Sequence, residues 1–187
     1  MRRIILQNYV TLDGFAADSK GVFDFAPRDP NVDEDLLKIA PSIDTILLGR
    51  KTYALFAEFW PQTDAATEPV ADVVNGTPKI VFSQTLERAP WGEAEATVVR
   101  GSATEEIERL KAQPGRDMIL WGSLSLGHTL IEAGLIDEYQ LRVCPITLGS
   151  GMPLWPEHRL PFGLKFIESK AYPSGTVLLR YHPEGSV

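Results

Sequence analysis

The 187 residues suffice to bury a core without metals or disulfides, and a composition of 44% hydrophobic and 23% charged residues is ordinary for a soluble globular protein. A net charge of -7 repels phosphate backbones and argues against nucleic acid as a partner, while the single cysteine, Cys144, rules out an internal disulfide framework and a multi-cysteine zinc site. The apolar run after Arg2 and Arg3 stops at Gln7, too short for a signal-peptide core, and no stretch approaches the length of a membrane span. One domain over 1–187, soluble and cytoplasmic, is the expectation.

Residues 3–10 read as a buried first strand that leaves through the TLDG segment, Thr11 to Gly14. Residues 15–30, rich in Gly, Pro, Asp and aromatics, read as a shaped loop. A helix is expected from about Pro30 to Pro41 with Leu36, Leu37 and Ile39 on one side, its acidic run Asp33–Asp35 suiting the helix dipole. A short apolar strand at 45–48 ends at Gly49, and a helix starts directly at Arg50. Residues 61–78 form the loosest region, with a short helix near Pro69–Val74. Strands follow at Lys79–Ser83 and Ala96–Val99, then a surface helix over 103–112 that Pro114 and Gly115 stop. Asp117–Trp121 is a strand, followed at once by Gly122 and Ser123 and a helix over 124–134. Glu138–Val143 alternates as a strand does, residues 145–161 are a Pro/Gly-rich excursion, and 164–171 with 176–182 form a hairpin around Pro173-Ser174-Gly175. Alternating strands and helices imply parallel strands with right-handed crossovers, and the terminal hairpin adds an antiparallel edge.

In such a sheet ligands sit at the carboxyl ends of the strands. Gly49 and Gly122 each stand between a buried strand and a helix start, where exposed amides attract anions and the missing side chain lets a phosphate approach. Arg50, Lys51 and Thr52 add charge and a hydroxyl at the first turn, and Ser123 and Ser125 add hydroxyls at the second. Gly122–Thr129 (GSLSLGHT) approaches the P-loop pattern, but His128 replaces the phosphate-binding lysine. Gly149-Ser150-Gly151 lacks the helix a dinucleotide fingerprint requires. The histidines 128, 158 and 182 are far apart and show no metal-ligand spacing, and no GxSxG elbow occurs. Cys144 reads as a small buried apolar residue.

Taken in order, TLDG, LLGRKTY, KIVFSQTL, LWGSLSLGHTLIEAGLIDEYQL and PITLGSGMPLW resemble the dihydrofolate reductase-like family that contains the reductase domain of the bifunctional riboflavin deaminase-reductase, over about residues 3–182. The resemblance implies an α/β fold with a mostly parallel twisted central sheet flanked by helices and an antiparallel C-terminal hairpin. It implies NADPH as hydride donor to a small-molecule substrate, a pterin or a ribosylated pyrimidine-like or carbonyl compound. It places Gly49, Arg50, Lys51 and Thr52 along the cofactor phosphates, Ser83 and Gln84 at the adenosine 2′-phosphate, and Gly122, Ser123 and Leu124 at the pyrophosphate and ribose. It puts Asp13 near the substrate, as contact or proton relay, and the Gly149–Gly151 loop where two subunits pair, so a homodimer is expected. The zinc deaminase signature is absent, Trp121 stands where the family often has a small residue, and Asp33 or Asp35 stands near the acidic position of dihydrofolate reductase without a clean alignment. A non-catalytic NADPH-binding accessory or sensor protein remains the alternative.

Overall fold

A computed structural model describes residues 1–157 and 161–184. Its centre is an eight-stranded sheet. Strand β1 (Ile4–Thr11) is buried along nearly its whole length, as a strand covered on both faces must be. It pairs in parallel with β8 (Asp117–Trp121) on one side and with β9 (Glu138–Cys144) on the other. Beyond β8 lie β3 (Ile43–Gly49), β4 (Lys79–Phe82) and β7 (Thr97–Val99), all parallel. Beyond β9 come β12 (Val177–Pro183) and the edge strand β11 (Leu164–Ala171), the antiparallel C-terminal hairpin. The mostly parallel sheet with an antiparallel edge is the expected fold class.

The helices divide between the two faces. Leu36 of α1 (Pro30–Ile39), Tyr53 of α2 (Arg50–Phe59) and Val74 of α3 (Ala71–Gly76) pack with Ile5, Leu48 and Trp121 on one face. Ile107 and Leu110 of α4 (Ala103–Lys111), with Leu126, Leu130 and Ile131 of α5 (Leu124–Glu132), pack with Ile4, Leu6 and Leu120 on the other. Local chemistry sets the helix starts. The Asp29 side chain accepts from the Asn31 amide and Pro30 occupies the first turn of α1. Ser102 caps α4, whose acidic first turn and basic last turn complement the dipole.

Two small two-stranded sheets escape sequence reading: β2 (Phe15–Ala17) with β10 (Met152–Pro153), and β5 (Pro90–Trp91) with β6 (Ala94–Glu95). Strands of two or three residues carry no readable period. His158 lies outside the described residues.

On the α1 face a polar row crosses five strands in register. The Trp121 indole N–H donates to Gln7 Oε1, Gln7 Nε2 to Gln140 Oε1, and Gln140 Nε2 to Glu138 Oε1, each at 2.8 Å. Arg180 closes the row, its Nε reaching Glu138 at 2.8 Å and its guanidinium reaching Glu168 at 3.0 Å. Glu138 is only 1% exposed, so this chain of donors is what makes its burial tolerable.

The acidic run on α1 does more than complement a dipole. The Asp35 carboxylate receives Lys170, Lys38 at 2.9 Å and the Tyr172 hydroxyl at 2.8 Å, which ties α1 to the terminal hairpin. Burial disfavours its charge, but those donors win and hold the carboxyl down at about 2. A folded-state value below the unfolded one, about 3.9 for Asp, gives stability that is complete above about pH 4 and lost as pH falls toward 2. Asp35→Asn should therefore lower the melting temperature at pH 7 and flatten its fall between pH 4 and 2; an unchanged acid limb in thermal melts would remove this link.

Candidate functional site

Strands β3 and β8 are neighbours, and their crossovers leave in opposite directions: β3 through α2 to β4, β8 through α5 back to β9. This is the topological switch point at which open α/β sheets bind ligands. A glycine closes each strand, Gly49 as the last residue of β3 and Gly122 just after β8, and both following helices begin without a side-chain cap, Gly49 before α2 and Ser123 before α5. Free amides therefore gather at one place on the carboxyl edge.

Two reciprocal hydrogen bonds lock these turns together. The Gly49 amide donates to Ser123 Oγ, and the Ser123 amide donates to Thr52 Oγ1, each at 2.8 Å. The geometry demands an unusual backbone. Gly122 has φ 53°, and Ser123, with φ 53° and ψ 48°, is the one non-glycine residue at positive φ among the described residues. A left-handed serine costs about 1–2 kcal/mol, and the two bonds offset it. A Cβ on Gly122 would stand 3.2 Å from Thr52 Cγ2 and 3.3 Å from its Oγ1, so the close approach and the φ both call for glycine.

Around this lock the predicted residues divide. Gly49, Thr52, Gly122 and Ser123 are in mutual contact. Arg50 and Lys51 are exposed beside them, with no carboxylate within 4 Å among the described residues, and Leu124 opens α5. Ser83 and Gln84 follow β4, the next strand along the same edge. The Ser83 hydroxyl accepts from the Thr85 and Leu86 amides at 3.3 and 3.1 Å, shaping that turn, and Gln84 is exposed. Trp121 is 9% exposed and packs into the α1–α2 face.

Asp13 is a loop fastener. Its carboxylate accepts from Thr11 Oγ1 at 2.6 Å, from the Leu148 amide at 3.1 Å and from the Gly149 amide at 2.7 Å. The Thr11 hydroxyl foremost, then the two amides, keep its carboxyl below the usual range, so it is ionised at neutral pH and cannot serve there as a proton donor. Nearby, Leu12 N–H donates to Ile146 and Leu154 N–H to Gly14, which completes the clasp between the β1 exit and the 145–154 excursion. Gly151 fits where a Cβ would collide with the Ala17 carbonyl. His128, the residue in the lysine place of the P-loop-like segment, turns away from the turns: its Nε2 lies 3.1 Å from the carbonyls of Pro153 and Leu154 and so carries the proton.

Sequence reasoning missed a cluster on the inner side of α1. Arg142 of β9 stacks its guanidinium 5.3 Å from the Tyr9 ring centre, and Asp33 lies within its electrostatic reach. Burial, then Glu68, push the Asp33 carboxyl above its usual value, against the pull of Arg142. Cys144 is fully buried with its thiol pushed up by burial, in keeping with an inert packing role. Among the described residues no group of His, Cys, Asp and Glu is arranged to hold a metal, and no helix is long and apolar enough to cross a membrane.

The model of the RibD C-terminal domain matches residues 2–178. The chain belongs to this family. It is 37% identical over 186 residues to the protein YyaP of Bacillus subtilis (strain 168), spanning 98% of this chain and 96% of that protein. Among solved structures it is similar to a Shewanella sp. PV-4 protein named for riboflavin biosynthesis, with a TM-score of 0.78 and 25% identity over 97% of this chain and 99% of that one. It shares its fold with the dihydrofolate reductase of Enterococcus faecalis, solved with NADP(H) and RAB-propyl, at a TM-score of 0.62 and 15% identity over 97% and 96% of the two chains. The dihydrofolate reductase-like fold and the riboflavin-reductase family expected from the motifs are thus both found.

The lock is open to a direct test. Thr52→Val leaves the Ser123 amide without its acceptor and should cost about 1–3 kcal/mol in urea unfolding, whereas Thr52→Ser should cost much less; equal stability of Thr52→Val and the parent would show that the turns do not depend on this bond.

Proposed function

We propose that this chain is an NADPH-dependent reductase delivering hydride to a small heterocyclic or carbonyl substrate, of pterin or ribosylated-pyrimidine type. The observation that carries this reading is the meeting of two uncapped helix N-termini at a locked pair of turns, with two cations beside them that have no carboxylate partner among the described residues. Membership of the RibD C-terminal domain family and the shared fold with a dihydrofolate reductase that binds NADP(H) support it.

The residues fit a dinucleotide. Gly122 permits the left-handed turn that packs on Thr52 and aims α5, Ser123 and Leu124 stand at that helix's start, and Arg50 and Lys51 supply positive charge at the start of α2. Gly49 and Thr52 hold the second turn in place. Ser83 and Gln84, one strand further along the edge, would receive the 2′-phosphate. When bound, NADPH supplies the hydride with its electron pair. The chain contributes position and a proton. Asp13 acts by fastening the β1 exit, which forms the rim of the site. The proton falls to Asp33, whose raised pKa suits a general acid better than the depressed one of Asp13.

NADPH should quench tryptophan fluorescence with saturation and more tightly than NADH, and Gly122→Asp, whose side chain would press on Thr52 and break the locked pair of turns, should abolish the effect. With an accepted substrate, turnover should fall as pH rises through the Asp33 pKa, and Asp33→Asn should lose that limb. Absence of NADPH binding would overturn the reading. Tight NADPH binding without oxidation by any pterin, pyrimidine or carbonyl compound would favour the sensor alternative instead.

A further inference from the structure

Beside the polar row lies a cavity of about 220 Å³, lined on the sheet by Gln7, Gln140, Arg142, Leu178 and Arg180 and roofed by the last turns of α1. It follows from strand register. Gln7, Gln140, Arg180 and Glu168 stand opposite one another in one row, and two residues further along their strands Arg142, Leu178 and Lys170 form the next. The two rows are about 7 Å apart, and the side chains of Asp35, Lys38 and Ile39 stand above them. None of the residues of the locked turns lines this cavity.

Cations outnumber acids in its lining. Four cations line it against two carboxylates, in a protein whose net charge is -7. Three of the cations are already paired: Lys38 and Lys170 with Asp35, Arg180 with Glu138 and Glu168. Arg142 is the exception. It is 6% exposed, its buried Nε has no hydrogen-bond partner, and among the described residues its guanidinium forms no ion pair within 4 Å; it stacks over the Tyr9 ring and feels the Asp33 carboxylate only through the field between them. A buried guanidinium N–H without an acceptor is costly, because its lost hydration is not replaced.

The two carboxylates of the lining are engaged, Asp35 by Lys38, Lys170 and Tyr172 and Glu168 by Arg180, which leaves the two glutamines as sources of free donors. Gln7 Oε1 is taken by Trp121 and Gln140 Oε1 by Gln7, while each amide nitrogen has used one of its two hydrogens. Leu178 and Ile39 add apolar wall. Unsatisfied donors, one guanidinium without a hydrogen-bonded carboxylate and a short apolar wall together describe the complement of a small organic acid. The volume lies below the range for drug-sized ligands.

We propose that this cavity is a binding site for a small aliphatic carboxylate, held bidentately by Arg142 and separate from the cofactor turns. It does not depend on the chain being a reductase, and it is tested without NADPH. Butyrate and succinate are titrated into the ¹⁵N-labelled full chain, with chloride at matched ionic strength as control and inorganic phosphate in parallel. The Arg142 Nε–H resonance, assigned through Arg142→Lys, should shift saturably with a carboxylate and not with chloride. Affinity should fall about tenfold or more in Arg142→Gln. Leu178→Phe, which fills the cavity and keeps every donor, should also abolish the shift, so the test survives a poorly folded Arg142→Gln. An Arg142 resonance that responds equally to chloride, that responds to phosphate and not to carboxylates, or that never saturates would overturn the assignment.

Discussion

The site rests on the paired hydrogen bonds by which Ser123 joins the ends of β3 and β8: its hydroxyl accepts the Gly49 amide and its own amide reaches Thr52. Each turn alone is a strand ending at a glycine. Joined, they present two helix starts in one fixed relation. The left-handed backbone at Gly122 and Ser123 brings the second helix start into contact with the first, and the bonds hold it there. The strain thus sits where the sheet reverses its winding, the place at which a ligand gains most from rigid amides.

The rest of the sheet serves this geometry differently on its two faces. On the α4–α5 face the packing is apolar and needs no polar partners. On the α1 face a hydrogen-bonded row runs from Trp121, the residue before Gly122, to the edge strand β11. Such a row fixes register, because slipping any strand by one residue would bury Gln7, Gln140 or Glu138 without partners. It also sets the orientation of the Trp121 side chain immediately ahead of the strained turn. Arg142, one row along, is the charge this arrangement leaves over.

Much of this was legible in the amino-acid order. Apolar runs ending at Gly49 and Gly122 located the strands, and the immediate onset of helix marked the two turns. Their mutual lock was not legible, because Thr52 and Ser123 are 71 residues apart and meet only once β3 lies beside β8. The same holds for Gln7 and Gln140, whose contact depends on a register between strands 133 residues apart. Asp13 followed by Gly14 reads as a turn or as a polar site residue; the distant Leu148 and Gly149 amides show what the carboxylate holds. Asp35 reads as one of three acids at a helix start, and only the folded hairpin brings Lys170 and Tyr172 to it.

On the proposed reading the two locked turns form one dinucleotide cradle. Its most direct test is a titration of the ¹⁵N-labelled protein with NADPH, followed by backbone amide resonances. Saturable shifts are expected at Arg50, Lys51, Ser123 and Leu124 together, at a single affinity, with the hairpin strands at 164–171 and 177–183 unmoved. Shifts confined to one turn, or centred on the hairpin, would contradict it.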